Sequence, residues 1–213
     1  MTEVAIIDYG VGNLLSVSRA FAHCGANVVV TAEPAQILAA SRVVLPGVGA
    51  FANGMAALRA HGLDAVVHRV HAAGTPLLGI CLGMQMMLDA SQEFGQTAGL
   101  GLIPGQVVPV PERTPAGDAQ KIPHIGWSGL VHGPARPDWT GSLLEGITPG
   151  ESVYFVHSFM AQPEVTAHRL ADCLYGGVAV SAVVQHGNVM GCQFHPEKSG
   201  DVGLRVLKNF LRH

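Results

Sequence analysis

The stretch TPLLGICLGMQMMLDA, Thr75 to Ala90, decides the fold. TPLLGI reads as a short buried strand, and LGMQMMLDA as a helix of strong helix formers. Cys81 sits at the junction, with Gly79 and Gly83 two residues away on either side. G-x-C-x-G has the form of a nucleophile elbow, a sharp strand-to-helix turn that lifts one reactive side chain out of a sheet. The glycines fit such a turn, where a side chain would strike neighbouring backbone. The following helix offers unpaired N–H groups to a thiolate or an oxyanion. Gln85 lies one helical turn on, above Cys81, where its amide is expected to meet a polar substrate. The plainer reading is a buried cysteine packed between glycines, as free cysteines commonly are. A nucleophile also needs a base.

The first ninety residues alternate short apolar runs with helix-like segments. VAIID (4–8), ANVVVT (26–31), RVVLPG (42–47) and TPLLGI (75–80) read as strands. Helical stretches are expected near 13–24, near 35–40, and between 48 and 74 with a break at Gly62. This βαβα order predicts an α/β fold of three layers, doubly wound, with a mainly parallel central sheet and helices on both faces. From Ser91 to Pro149, glycine, proline and polar residues prevail, so short strands and long loops are expected, with a mobile segment near 111–120. Strands resume at SVYFV (152–156), HRLADCLY (168–175), VAVSAVVQ (178–185) and NVMGCQF (188–194). The turn at His186-Gly187 makes the last two an antiparallel hairpin. A helix near 201–211 closes the chain. The whole of 1–213 is read as one domain with additional antiparallel strands.

Composition narrows the function classes. Of 213 residues, 48% are apolar and 13% charged, and the net charge is −3, so a compact globule is expected rather than a basic nucleic-acid binder. Lysines and arginines are scattered, with no polybasic run for a membrane surface. Two long segments lack Asp, Glu, Lys and Arg, Val70–Leu88 and Cys173–Pro196, but glycines and turn residues interrupt both. TEVAIIDYG has no basic region before an apolar stretch, so it is not read as a signal peptide. A reduced, cytoplasmic setting follows as the expectation for Cys24, Cys81, Cys173 and Cys192. Their spacing fits no zinc pattern, and His124, His157 and His195 lack ligand spacing, so no metal is expected. Nor is there a phosphate-cradling or complete dinucleotide loop, and no cofactor is expected.

QFHPEKS, Gln193 to Ser199, supplies the missing base. Pro196 ends the preceding strand, which leaves His195 at a strand end, where α/β active sites gather. Glu197, two residues on, is placed to hold one imidazole nitrogen while the other faces a thiol. A lone HxE is more commonly a solvated loop pair. Paired with the cysteine elbow it reads as a Cys81–His195–Glu197 triad.

GICLGMQ together with FHPEKS resembles the class I, triad-type glutamine amidotransferases. DYGVGN (8–13), LPGVGAF (45–51), KIPHIGW (121–127) and YFVHSF (154–159) narrow the likeness to the glutaminase subunits of imidazole glycerol phosphate synthases, over residues 4 to about 211. The resemblance implies hydrolysis of L-glutamine, with Cys81 attacking the carboxamide, His195 moving protons and Glu197 orienting it. It implies an oxyanion hole from the N–H groups of Val48 and Leu82, and a glutamine pocket lined by Gly49, Gln85, Ser158 and Phe159. It also implies a (β/α)8-barrel cyclase partner in a heterodimer serving histidine biosynthesis. A barrel needs ~250 residues, so that partner is a separate chain. Asn13, Trp127, Tyr154 and Lys198 match positions at or near the subunit interface. Coupling of turnover to the docked partner is expected, because free ammonia is otherwise lost to solvent. The triad alone leaves open another class I amidotransferase subunit or a γ-glutamyl hydrolase-like cysteine hydrolase. An inactive binding module is the remaining alternative, disfavoured by the intact triad.

Overall fold

A computed structural model describes residues 2–213. In chain order the elements are β1 (Glu3–Ile7), α1 (Leu14–His23), β2 (Asn27–Thr31), α2 (Pro34–Ala39), β3 (Arg42–Gly47), α3 (Phe51–Ala60), α4 (Leu63–Ala72) and β4 (Leu77–Cys81). Then come α5 (Leu82–Met86), β5 (Leu88–Ser91), β6 (Thr97–Ala98), β7 (Ile103–Pro109), β8 (His124–His132), β9 (Ser152–His157) and β10 (Phe159–Pro163). The chain ends with β11 (Arg169–Tyr175), β12 (Val178–His186), β13 (Val189–Cys192) and α6 (Gly200–Phe210).

Nine strands form the central sheet in the order β2-β1-β3-β4-β13-β12-β11-β8-β9. From β2 to β13 the neighbours are parallel, and from β13 to β9 they are antiparallel. The expected hairpin is β12–β13, with His186 opposite Val189. A smaller sheet, β10-β7-β5-β6, lies beside the large one.

Alternating strand residues feed two apolar layers. Val4, Ile6, Val44, Leu78 and Ile80 pack with Val17 and Phe21 of α1 and Val206, Leu207 and Phe210 of α6. Ile7, Val43, Leu45 and Leu77 face the other way, onto Phe51, Met55 and Leu58 of α3 and Val66, Val67 and Val70 of α4. The smaller sheet joins this second layer through Leu88, Ile103, Val107 and Ala161. Each large side chain buried in this way contributes roughly 1.5–3 kcal/mol. The helices begin and end for local reasons. In α1, Leu14, Val17 and Phe21 make one face at 3- and 4-residue spacing, and the Asn13 side chain accepts from the Ser16 N–H at the N-terminus. Gly62, with φ +65°, breaks α3 from α4.

One expectation changes. The helix after Cys81 has five residues, not nine. The carbonyls of Met86 and Met87 accept from the N–H groups of Leu100, Leu102 and Ile103, and Leu88–Ser91 pairs with β7 and β6. Long-range pairing therefore overrides the helix propensity of LGMQMMLDA. The segment 111–120, expected to be mobile, closes on itself: Thr114 N donates to Asp118 O, Gln120 N to Glu112 O, and the Arg113 guanidinium to Gly117 O.

Candidate active site

Strands β3, β4 and β13 lie side by side and parallel, so their carboxyl ends meet. Gly47, at the end of β3, stands opposite Cys81 in register, and β13 runs on into Gln193, Phe194 and His195. Three segments far apart in sequence thus converge where open α/β sheets place their ligands.

Cys81 has φ +54° and ψ −112°. Backbone in that region costs on the order of 1–3 kcal/mol for a residue with a Cβ, and it persists only where the surroundings hold it. The surroundings are glycines. A Cβ on Gly79 would lie 2.6 Å from the Met84 backbone, and one on Gly83 would lie 1.8 Å from the Leu45 carbonyl oxygen. The elbow is packed directly against β3, which explains both glycines. The first N–H groups of the short α5 point at the same junction without helical partners of their own.

His195 follows β13. Its backbone N–H donates to Tyr154 O, and its carbonyl accepts from the Ser199 hydroxyl at 2.7 Å, which ties the HPEKS segment to β9. The His195 Nδ1 lies 2.8 Å from Glu197 Oε1, with both side chains buried. Burial works against the charged ring. The neighbouring Cys81 sulfur and the hydrogen-bonded Glu197 carboxylate outweigh it, and raise the His195 pKa to about 9. The second carboxylate oxygen of Glu197 is buried without a hydrogen-bond partner.

A cavity of about 300 Å³ opens over the thiol. Cys81, His195, Val48, Gly49, Leu82, Gln85, Ser158 and Phe159 all line it, so the structure brings the expected nucleophile, base, oxyanion strand and pocket residues to one place. Gly49 has φ +94°, a Cβ placed there would meet nothing within 4 Å, and Val48 beside it is 41% exposed. Gln85 sits in the wall, but both of its N–H bonds are directed at the protein: Nε2 donates to Phe159 O and to Gln193 Oε1, each at 2.9 Å. Only its oxygen is left for a ligand. Gln193 in turn places its Nε2 3.7 Å from the Cys81 sulfur.

Four lining residues escaped the sequence reading: Glu93, Pro123, Val156 and His157. Gln193, fully buried beneath the thiol, also escaped it. Glu93 follows β5, and its Oε2 accepts from the Phe51 N–H at the start of α3. Reading 82–90 as one helix hid the turn that brings this carboxylate to the cavity.

The four residues matched to a subunit interface are not all together. Trp127 and Tyr154 are cross-strand partners with ring centroids 6.0 Å apart, and Trp127 is 58% exposed. Ile125, also exposed, precedes Trp127 on the same face and pairs with Val156, whose carbonyl lies 4.0 Å from the Cys81 sulfur. An apolar surface therefore runs from Trp127 to the cavity mouth. Lys198 is exposed beyond the triad, and Asn13 is engaged as the cap of α1. Among the described residues, no group of three or more His, Cys, Asp or Glu is arranged for a metal ion, and no helix is long and apolar enough to cross a membrane.

This fold, with a cysteine elbow facing a His–Glu pair, defines a glutamine amidotransferase of the triad class. The family described as glutamine amidotransferase class-I matches residues 5–213, and the chain belongs to it. The imidazole glycerol phosphate synthase subunit HisH 1 of Legionella pneumophila (strain Lens) is 53% identical over 212 residues, covering 100% of both chains. The HisH subunit of Moorella thermoacetica (strain ATCC 39073 / JCM 9320) is 49% identical over 216 residues, covering 100% of this chain and 97% of that one. Within the class, the chain falls among the HisH subunits. The structure of PurLQS from Thermotoga maritima has a TM-score of 0.71 at 18% identity, over 99% of this chain and 98% of that one, a likeness of fold alone.

Proposed function

We propose that the chain is the glutaminase subunit of an imidazole glycerol phosphate synthase, and that it hydrolyses L-glutamine to glutamate and ammonia for histidine biosynthesis. The observation that carries the chemistry is the strained Cys81 elbow opening onto the same cavity as the 2.8 Å His195–Glu197 pair. The Cys81 thiolate attacks the carboxamide carbon, its proton residing on His195. The tetrahedral oxyanion forms beside the N–H groups of Leu82 and Val48. The His195 proton then passes to the departing nitrogen, which leaves as ammonia, and a glutamyl thioester remains on Cys81. Water attacks the thioester with His195 as base, glutamate leaves, and the thiol is restored. Glu197 keeps the ring oriented throughout. Gly49, Ser158 and Phe159 shape the pocket, Gln85 holds its wall, and the Glu93 carboxylate offers a counter-charge for the substrate ammonium.

The partner in this reading is a separate (β/α)8-barrel cyclase. The apolar surface of Ile125, Trp127 and Tyr154, continuous with the cavity mouth, supports docking there, where released ammonia passes directly to the partner. The test is glutamine hydrolysis by this chain alone and with the cyclase and its nucleotide ligand. Faster hydrolysis in the complex is expected. Equal rates in both refute coupling, and no hydrolysis in either refutes the glutaminase assignment.

A further inference from the structure

Two buried histidines outside the triad form a hydrogen-bonded line that ends on the pocket wall. His124 of β8 and His157 of β9 are cross-strand partners. His124 Nε2 lies 2.9 Å from the Ser128 hydroxyl, His124 Nδ1 lies 3.0 Å from His157 Nε2, and His157 Nδ1 lies 2.8 Å from Phe159 O. The last contact fixes the rest. A carbonyl only accepts, so His157 carries a proton on Nδ1. In a neutral ring its Nε2 then accepts, from Nδ1–H of His124, and the Nε2 of His124 accepts from Ser128 O–H. Every polar atom in the line has a partner, and every proton has one position.

Burial favours this neutral arrangement. It lowers the pKa of both rings to about 4; for His157 the hydrogen bond to the Phe159 carbonyl works against it, and the neighbouring His124 and His195 work with it. The His124 ring is also held flat between Phe155 and Tyr175, with centroids 4.8 and 3.9 Å away.

The end of the line matters most. Phe159 O also receives Gln85 Nε2 at 2.9 Å, so both of its lone pairs are used. Phe159 opens β10, and only Ser158 separates it from β9. Here the chain leaves the large sheet for the small one, and this crossing, residues 156–159, lines the cavity. We infer that the Ser128–His124–His157 line is a rod that sets the Phe159 carbonyl, and through it Gln85 and the 156–159 wall, which makes His124 and His157 positioning residues of the glutamine pocket. The inference rests on the glutaminase reading of that pocket.

The test uses the full chain in complex with the cyclase. His124→Phe keeps the stack and removes both hydrogen bonds. It is expected to raise KM for glutamine about tenfold, equivalent to one buried hydrogen bond of about 1.4 kcal/mol, with a smaller change in kcat. His124→Asn restores an N–H near the Nδ1 position and is expected to recover most of that loss. Long-range ¹⁵N–¹H spectra of the histidine rings in the wild-type complex need no variant. They are expected to show His124 and His157 neutral and Nδ1-protonated at pH 7. An unchanged KM in His124→Phe, an Asn variant no better than the Phe variant, or an Nε2–H or doubly protonated ring at either position overturns the rod. A wild-type complex that fails to hydrolyse glutamine instead overturns the glutaminase reading, and the ring spectra still decide whether the rod exists.

Discussion

His195 and His157 line one cavity, and both are nearly out of water, yet they hold opposite protonation states. His195 keeps its proton to about pH 9, and His157 refuses a second proton until about pH 4. Burial alone drives both rings toward neutrality. The difference lies in their partners. His195 faces the Cys81 sulfur and the Glu197 carboxylate, and both favour the charged ring. His157 faces a backbone carbonyl and another neutral ring. One pocket thus holds a ring with a second, transferable proton and a ring that stays neutral with its single proton on Nδ1, a division of labour set by the second contact of each imidazole rather than by depth.

The comparison is broken most completely by removing the group that charges His195. Cys81→Ala is expected to reduce glutamine hydrolysis by at least about 10³-fold while leaving the fold intact, as read by activity and circular dichroism on the same sample. Gly83→Val attacks the same group through the backbone. Its Cβ would lie 1.8 Å from Leu45 O, so either β3 or the elbow must move. Loss of about 2–4 kcal/mol of unfolding free energy together with most of the activity is expected, and a fully active, stable variant would count against the elbow.

Glu197→Gln sharpens the comparison without destroying the site. Wild-type turnover needs a protonated ring to release ammonia, so activity is expected to fall as pH rises through about 9. Without the carboxylate charge the His195 pKa drops toward its ordinary value, and the alkaline limb of the pH–rate profile moves to lower pH, with kcat reduced about 10²-fold. A limb that stays in place would show that Glu197 does not charge the ring.

The smallest effect is on acid stability. His124 and His157 protonate near 6.5 when unfolded but near 4 when folded, so the unfolded chain binds protons that the folded chain does not. Their contribution is present above about pH 6.5 and is lost as pH falls through about 4. His195 has the opposite sign: its contribution is present below about 6.5 and lost as pH rises through about 9. Denaturant titrations between pH 6.5 and 4 are expected to show a shallower pH dependence, by about one proton, in His124→Phe.

The charged histidine was legible in the sequence and the neutral pair was not. Cys81, His195 and Glu197 announce themselves because each sits in a local pattern with its own geometry: glycines at ±2, a strand end at Pro196, an acid two residues on. The parallel half of the sheet was legible for a similar reason, since VAIID, RVVLPG and TPLLGI each punctuate a helix. His124 and His157 become partners only through the β8–β9 register, 33 residues apart, and no local pattern carries that. Glu93 is hidden by the helix reading of Leu82–Ala90, because propensity cannot see the β7 strand that captures Leu88–Ser91. Gln193 lies within QFHPEKS, but no local pattern marks it; only the fold sets it under the thiol.

The central claim is that Cys81 becomes covalently charged with substrate during turnover. Acid-quenching the cyclase complex during glutamine hydrolysis, followed by mass spectrometry of the peptide containing Cys81, reads this directly. A glutamyl thioester is expected on Cys81, absent from Cys81→Ala, which should also be inactive. Sustained hydrolysis by Cys81→Ala, or a glutamyl adduct found on another residue, would contradict it.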